Sequence, residues 1–96
     1  MNKLIVALLM GCALAAQAAE RSRVVRAEFQ RSHPCPSTGA TRGACPGYQA
    51  DHKTPLCAGG VDQPRNLEWL SVEDHKTKTR NDVAVCRAQK AGVLER

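Results

Sequence analysis

The chain has 96 residues, 43% of them apolar and 24% charged, and a formal net charge of +5. That length excludes a pair of Rossmann units, a (β/α)8 barrel and any multi-domain enzyme, and no second apolar run of about 20 residues exists to build a membrane channel. The apolar content is also unevenly spread: residues 1–18 hold fourteen of the apolar side chains, which leaves residues 19–96 at roughly 35%.

Met1-Asn2-Lys3 is a short basic start, Leu4 to Leu14 an apolar stretch, and Ala16-Gln17-Ala18 a small-x-small site. Together they read as a secretory signal peptide over residues 1–18, with the mature domain over 19–96 in the periplasm or outside the cell. The competing reading, a buried N-terminal helix, would need an apolar partner surface that the polar remainder lacks. Cys12, after Leu9-Met10-Gly11, loosely resembles a lipoprotein processing site, so anchoring there is kept as an alternative, although Met10 fits that pattern poorly.

Residues 19–96 carry fourteen Val, Leu, Phe, Tyr and Trp side chains. A domain of this size needs disulfides, a metal or a partner to supplement so small a core. Four cysteines follow the leader, Cys35, Cys45, Cys57 and Cys86, and an even number in an oxidising compartment points to two disulfides. Three connectivities are open. Cys35 with Cys45, which brackets a short Gly-rich loop, and Cys57 with Cys86 is the preferred one. A tetrahedral zinc site is the alternative, but its ligands usually come as C-x2–4-C pairs, and the gaps here are 9, 11 and 28 residues.

In chain order, Val24, Val25 and Phe29 fall at helical spacing among Arg21, Arg23, Arg26 and Arg31, which predicts a short basic amphipathic helix over 21–32. From His33 to Gly47 the Pro and Gly density predicts a loop. Tyr48–His52 and Leu67–Leu70 are strand candidates separated by the turn-rich Pro55, Gly59-Gly60 and Asp62-Gln63-Pro64, which suggests an antiparallel hairpin. Ser71 with Asp74 three residues on fits a helix cap, so a helix is expected from about Val72 to at least Ala88, with residues 90–96 continuing or fraying. The fold class expected is therefore small α+β: an N-terminal helix, a disulfide-stapled loop, then a hairpin and helix forming a core over 48–88.

The chemistry-bearing residues sit on those last elements. Asp51-His52 ends the first strand, Asn66 opens the second, and His75 lies in the first turns of the helix. Singly each has a bland explanation: a chance dipeptide, a turn residue, a solvated histidine. On a strand Asp51 and His52 point to opposite faces, so one can meet a metal while the other meets a water. On the helix, Lys78, Thr79, Asp82 and Cys86 share the face of His75 and can back onto the hairpin.

The string Asp51-His52-Lys53-Thr54-Pro55-Leu56, then Gly59-Gly60, Asn66-Leu67-Glu68-Trp69-Leu70 and His75-Lys76-Thr77-Lys78-Thr79 resembles the HNH endonuclease family, whose ββα-metal motif is a hairpin and a helix around one divalent cation. It covers about thirty residues. The segments Pro34 to Gly39 and Cys45 to Tyr48 also resemble a subgroup of small bacterial HNH proteins. Many family members instead carry two CxxC zinc pairs; this chain lacks them, which favours disulfides.

Residue by residue, the resemblance implies His52 as general base, Asp51 and His75 as metal ligands, and Asn66 as the residue that holds the loop or the base. It also implies cutting that leaves 5′-phosphate and 3′-hydroxyl ends. Imidazole is substantially neutral at pH 7 and can take a proton from water if its other nitrogen, as N–H, donates a hydrogen bond, here to a backbone carbonyl or the Asn66 side chain. An oxygen–nitrogen ligand pair with open water positions suits Mg²⁺ or Mn²⁺, and Zn²⁺ or Ni²⁺ are also compatible.

Charge agrees: without Lys3, thirteen Lys and Arg stand against nine Asp and Glu, and the whole-chain pI is about 9.2, which favours a polyanion. Phe29, Tyr48 and Trp69 are too few for a base-stacking platform. Contacts to DNA would be mainly to phosphate, through Arg65, Lys78 and Arg80, with Lys53 and Lys76 equally well explained as solubilising charges, so sequence specificity would be low. RNA as a second substrate stays open, and no obligate protein partner is evident. The alternative is an inactive, disulfide-stapled nucleic-acid-binding module on the same scaffold; a metal-binding protein with no nucleic-acid partner is a third.

Overall fold

The computed structural model describes residues 2–92, with side-chain surroundings from residue 14 onward. Helix α1 spans Asn2–Ser32, strand β1 Tyr48–His52, strand β2 Leu67–Ser71 and helix α2 Val72–Lys90, with single 3-10 turns at Leu56–Ala58 and Pro64–Asn66 between the strands. The result is a small α+β fold with two helices, one two-stranded antiparallel sheet and two disulfides.

α1 is longer than the basic segment predicted. Residues 2–18 and the predicted 21–32 helix run together because residues 12–32 contain no Gly or Pro and the stretch from Ala13 to Ala19 is rich in alanine, the strongest helix former. The helix stops at Ser32, two residues short of Pro34, where the residue before a proline is pushed out of the helical region. Every residue from Leu14 to Arg21 is exposed, and burial begins at Ser22. The side chains of residues 1–13, Cys12 among them, and residues 93–96 lie outside the described part of the chain.

The core is small: Val25, Phe29 and Leu67 are buried, with Ala50 and Trp69 packed against them. Val24 is a correction to the predicted apolar stripe, being 48% exposed. At 100° per residue, Val25 and Phe29 fall within about 40° of each other, whereas Val24 is turned about 100° away from Val25 and off the packed face. The Phe29 ring stacks on His33 at 4.6 Å and meets Trp69 at 5.4 Å. The Trp69 indole N–H donates to the His33 carbonyl at 2.8 Å, tying the sheet to the end of α1.

The loop after α1 is ordered by the Cys35–Cys45 disulfide, with Cα atoms 5.5 Å apart. The buried Gln30 amide donates to the Ala40 carbonyl at 3.1 Å. Gly47, at φ +81°, takes a left-handed turn that a side chain would oppose and leads directly into β1.

Register pairs Ala50 with Trp69, Asp51 with Glu68 and His52 with Leu67. Because side chains alternate, the face with Ala50 and Leu67 turns to α1, and the face with Asp51 turns to α2. α2 begins as predicted: the Ser71 hydroxyl accepts from the Asp74 backbone N–H at 3.1 Å. Glu73 and Asp74 in the first turn and Arg87 and Lys90 in the last suit the helix dipole. None of its side chains is fully buried. The Cys57–Cys86 disulfide, with Cα atoms 5.6 Å apart, fastens this helix to the Leu56–Ala58 turn. Both pairings are the preferred ones of the three. Among the described residues, no helix is long and apolar enough to cross a membrane.

Candidate functional site

Three helical positions one turn apart, His75, Lys78 and Asp82, face the hairpin. The Lys78 ammonium lies 3.0 Å from Asp51 Oδ2 and also bonds the Asp82 carboxylate one turn further on. Burial alone pulls the Lys78 pKa down, but the hydrogen bonds and charges of Asp82 and Asp51 outweigh it, and the net shift is upward from 10.5. Lys78, expected as a phosphate contact, is thus held between two carboxylates and only 19% exposed.

Asp51 from β1 and His75 from α2 line one cleft of about 340 Å³, together with Gln49, Ala50 and Arg26 of α1. His52, the next residue on β1, does not line it. Its Nε2 lies 2.9 Å from Asp62 Oδ1, with the two side chains 14% and 26% exposed. The acceptor for this ring is therefore a carboxylate, neither the backbone carbonyl nor the Asn66 amide that sequence suggested. An Nε2–H donated to Asp62 leaves the lone pair on Nδ1.

Asn66, 8% exposed, braces the loop between the strands. Its amide donates to the Thr54 carbonyl at 2.9 Å and the Val61 carbonyl at 2.8 Å, and its Oδ1 accepts from the Thr54 N–H at 3.0 Å. All the bonding capacity of the side chain that these contacts use goes to the loop. Of the two roles open for Asn66, the geometry is that of loop support. The adjoining Gly59-Gly60 pair has a steric origin: Gly59 sits at φ +91°, and a Cβ on Gly60 would fall 1.9 Å from the Thr54 carbonyl oxygen.

The remaining expected phosphate contacts, Arg65 and Arg80, are exposed. Arg65 borders a separate cleft beside Gly59 and Gly60, and Arg80 lies within 3.4 Å of the Thr77 hydroxyl. Sequence reasoning missed Asp62, which reads as a turn residue beside Gln63-Pro64, and did not single out Arg26, which reads as one of several helix-surface arginines. Neither carries a local signal; both gain their place through distant contacts.

Among the described residues, no three His, Cys, Asp or Glu side chains gather into a metal-binding group. Asp51 and His75 are two donors, one oxygen and one nitrogen. That set fits a hard divalent cation that keeps most of its waters and takes further oxygens from a phosphate. No family model matches the chain, and neither a curated protein nor a solved structure matches it.

Proposed function

We propose that the chain is an exported, metal-dependent HNH-type endonuclease that hydrolyses phosphodiester bonds of DNA with low sequence specificity. The observation that carries this reading is the meeting of Asp51 and His75, from β1 and α2, at one cleft of a hairpin-then-helix unit. Export is supported by the leader-like residues 1–18 and by the two disulfides.

In this reading Asp51 and His75 would hold a divalent cation, which would supply positive charge to offset the charge that builds on the phosphate. His52 takes a proton from the attacking water at Nδ1 while Asp62 fixes the ring through Nε2. A phosphodiester laid across the end of β1 is reached by Asp51 from one face of the strand and by His52 from the other. Lys78 holds the Asp51 carboxylate in position, and Asn66 keeps the loop that carries Asp62 closed over the strand end. The excess of thirteen Lys and Arg over nine Asp and Glu in residues 19–96 draws the polyanion without reading its bases.

Incubation of the oxidised protein with plasmid DNA and Mg²⁺ or Mn²⁺ tests the proposal. Nicking and linearisation that EDTA abolishes are expected, with His52→Ala slower by on the order of 10²- to 10⁴-fold. Absence of EDTA-sensitive cleavage, or cleavage unchanged in His52→Ala, would refute it.

A further inference from the structure

The Asp51–His75 cleft does not end at Arg26. Arg26, Gln49 and Ala50 also line a second cleft, of about 330 Å³, whose far wall carries Arg42 and Tyr48. The two hollows share those three residues and so adjoin one another beside β1. Arg26 follows the buried Val25, so its stem rises from a fixed point of α1. Arg42 stands on the loop closed by Cys35–Cys45, so its position is held covalently.

Among the described residues Arg26 and Arg42, like most basic side chains apart from Arg23 and Lys78, have no carboxylate partner; what sets these two apart is their place on adjoining clefts. Both are exposed. A guanidinium without a protein counter-charge offers a planar fork that matches two oxygens of one phosphate. Two of them on adjoining clefts, with the exposed Gln49 lining both, suit an extended chain of phosphates better than a single small anion. Arg65 borders a different cleft and has no such continuity with Asp51 and His75.

We propose that Arg26 and Arg42 carry the DNA backbone out of the Asp51–His75 cleft, Arg26 meeting a phosphate at the cleft and Arg42 one further along the same strand. The assignment rests on the nuclease reading and adds to it the path of the substrate. It makes the N-terminal helix and the disulfide-closed loop part of the binding surface as well as of the scaffold.

The test is binding of the oxidised full chain to a short fluorescent DNA duplex, without metal, across a salt series. Arg26→Ala with Arg42→Ala should flatten the slope of log K against log salt by about 1.8, two phosphate contacts at about 0.9 each. Arg21→Ala with Arg31→Ala removes the same charge from α1 outside both clefts and should leave most of the slope in place. Arg26→Lys with Arg42→Lys retains the charges and should restore the slope, which separates lost contacts from lost folding. Equal slopes for the Arg26/Arg42 and Arg21/Arg31 variants, in a protein that binds and cuts DNA, would overturn this inference and leave the nuclease reading standing. An unsubstituted chain that shows no salt-dependent binding would overturn both.

Discussion

Removing the Cys57–Cys86 bond, by Cys57→Ser with Cys86→Ser, should release α2 from the hairpin. The bond closes a loop with a sequence separation of 29, for which chain entropy gives about 3.6 kcal/mol of stabilisation. Cys35–Cys45, at a separation of 10, gives about 2.7 kcal/mol on the same basis. A single core in so small a domain supplies about 3–5 kcal/mol, and among the described residues its buried cluster is Val25, Phe29 and Leu67. α2 contributes no fully buried side chain to compensate. Loss of the Cys57–Cys86 bond alone therefore consumes most of the available stability. The melting temperature followed by circular dichroism should fall by about 15–30 °C, at 4–8 °C per kcal/mol. Cleavage should fail first, because His75 leaves with the helix. The Cys35→Ser, Cys45→Ser variant should lose less stability and keep α2 docked. Reductant should unfold the unsubstituted chain, so the protein would be inert wherever thiols stay reduced. A shift below about 5 °C for the Cys57/Cys86 variant, or a larger effect at Cys35/Cys45, would refute the claim that loop closure holds this fold together.

Asp62→Asn retains the size of the side chain but offers an amide to His52 and loosens its tautomer. Cleavage should drop by about 10²-fold, the low end of a general base's contribution, with the melting temperature nearly unchanged; a rate equal to that of the unsubstituted protein would remove Asp62 from the site. Asn66→Ala removes three hydrogen bonds to the loop and should cost about 3 kcal/mol in a denaturant titration, whereas a loss below about 1 kcal/mol would show the loop to be held by other contacts. Folding raises the Lys78 pKa above 10.5, so the stabilisation it gives is whole below that pH and is lost as the pH rises through the raised value. In alkaline melts carried through pH 10.5 and beyond, the unsubstituted chain should therefore lose more stability than Lys78→Met; parallel curves would show the ion pairs to contribute nothing.

The two strands, the helix from Val72 and its Ser71 cap were legible in the sequence because alternation, capping and turn chemistry act between near neighbours. The cysteine count and leader implied two disulfides, and the short Gly-rich segment between Cys35 and Cys45 favoured the pairing that occurs. The set Asp51, His52, Asn66 and His75 could be named because it lies at the ends of those local elements. Which of them meet could not be read. Asp51 and His75 come together, and His52 turns to Asp62 instead of Asn66, because strand alternation sends consecutive residues to opposite faces and the packing of α1 and α2 decides what each face finds there. The same holds for α1, whose side facing the sheet is set by Phe29 and Val25 against Leu67 and leaves Val24 outside and Arg26 at the cleft. Local chemistry determined the elements and the candidate side chains at their ends; contacts between residues far apart in the chain decided their partners.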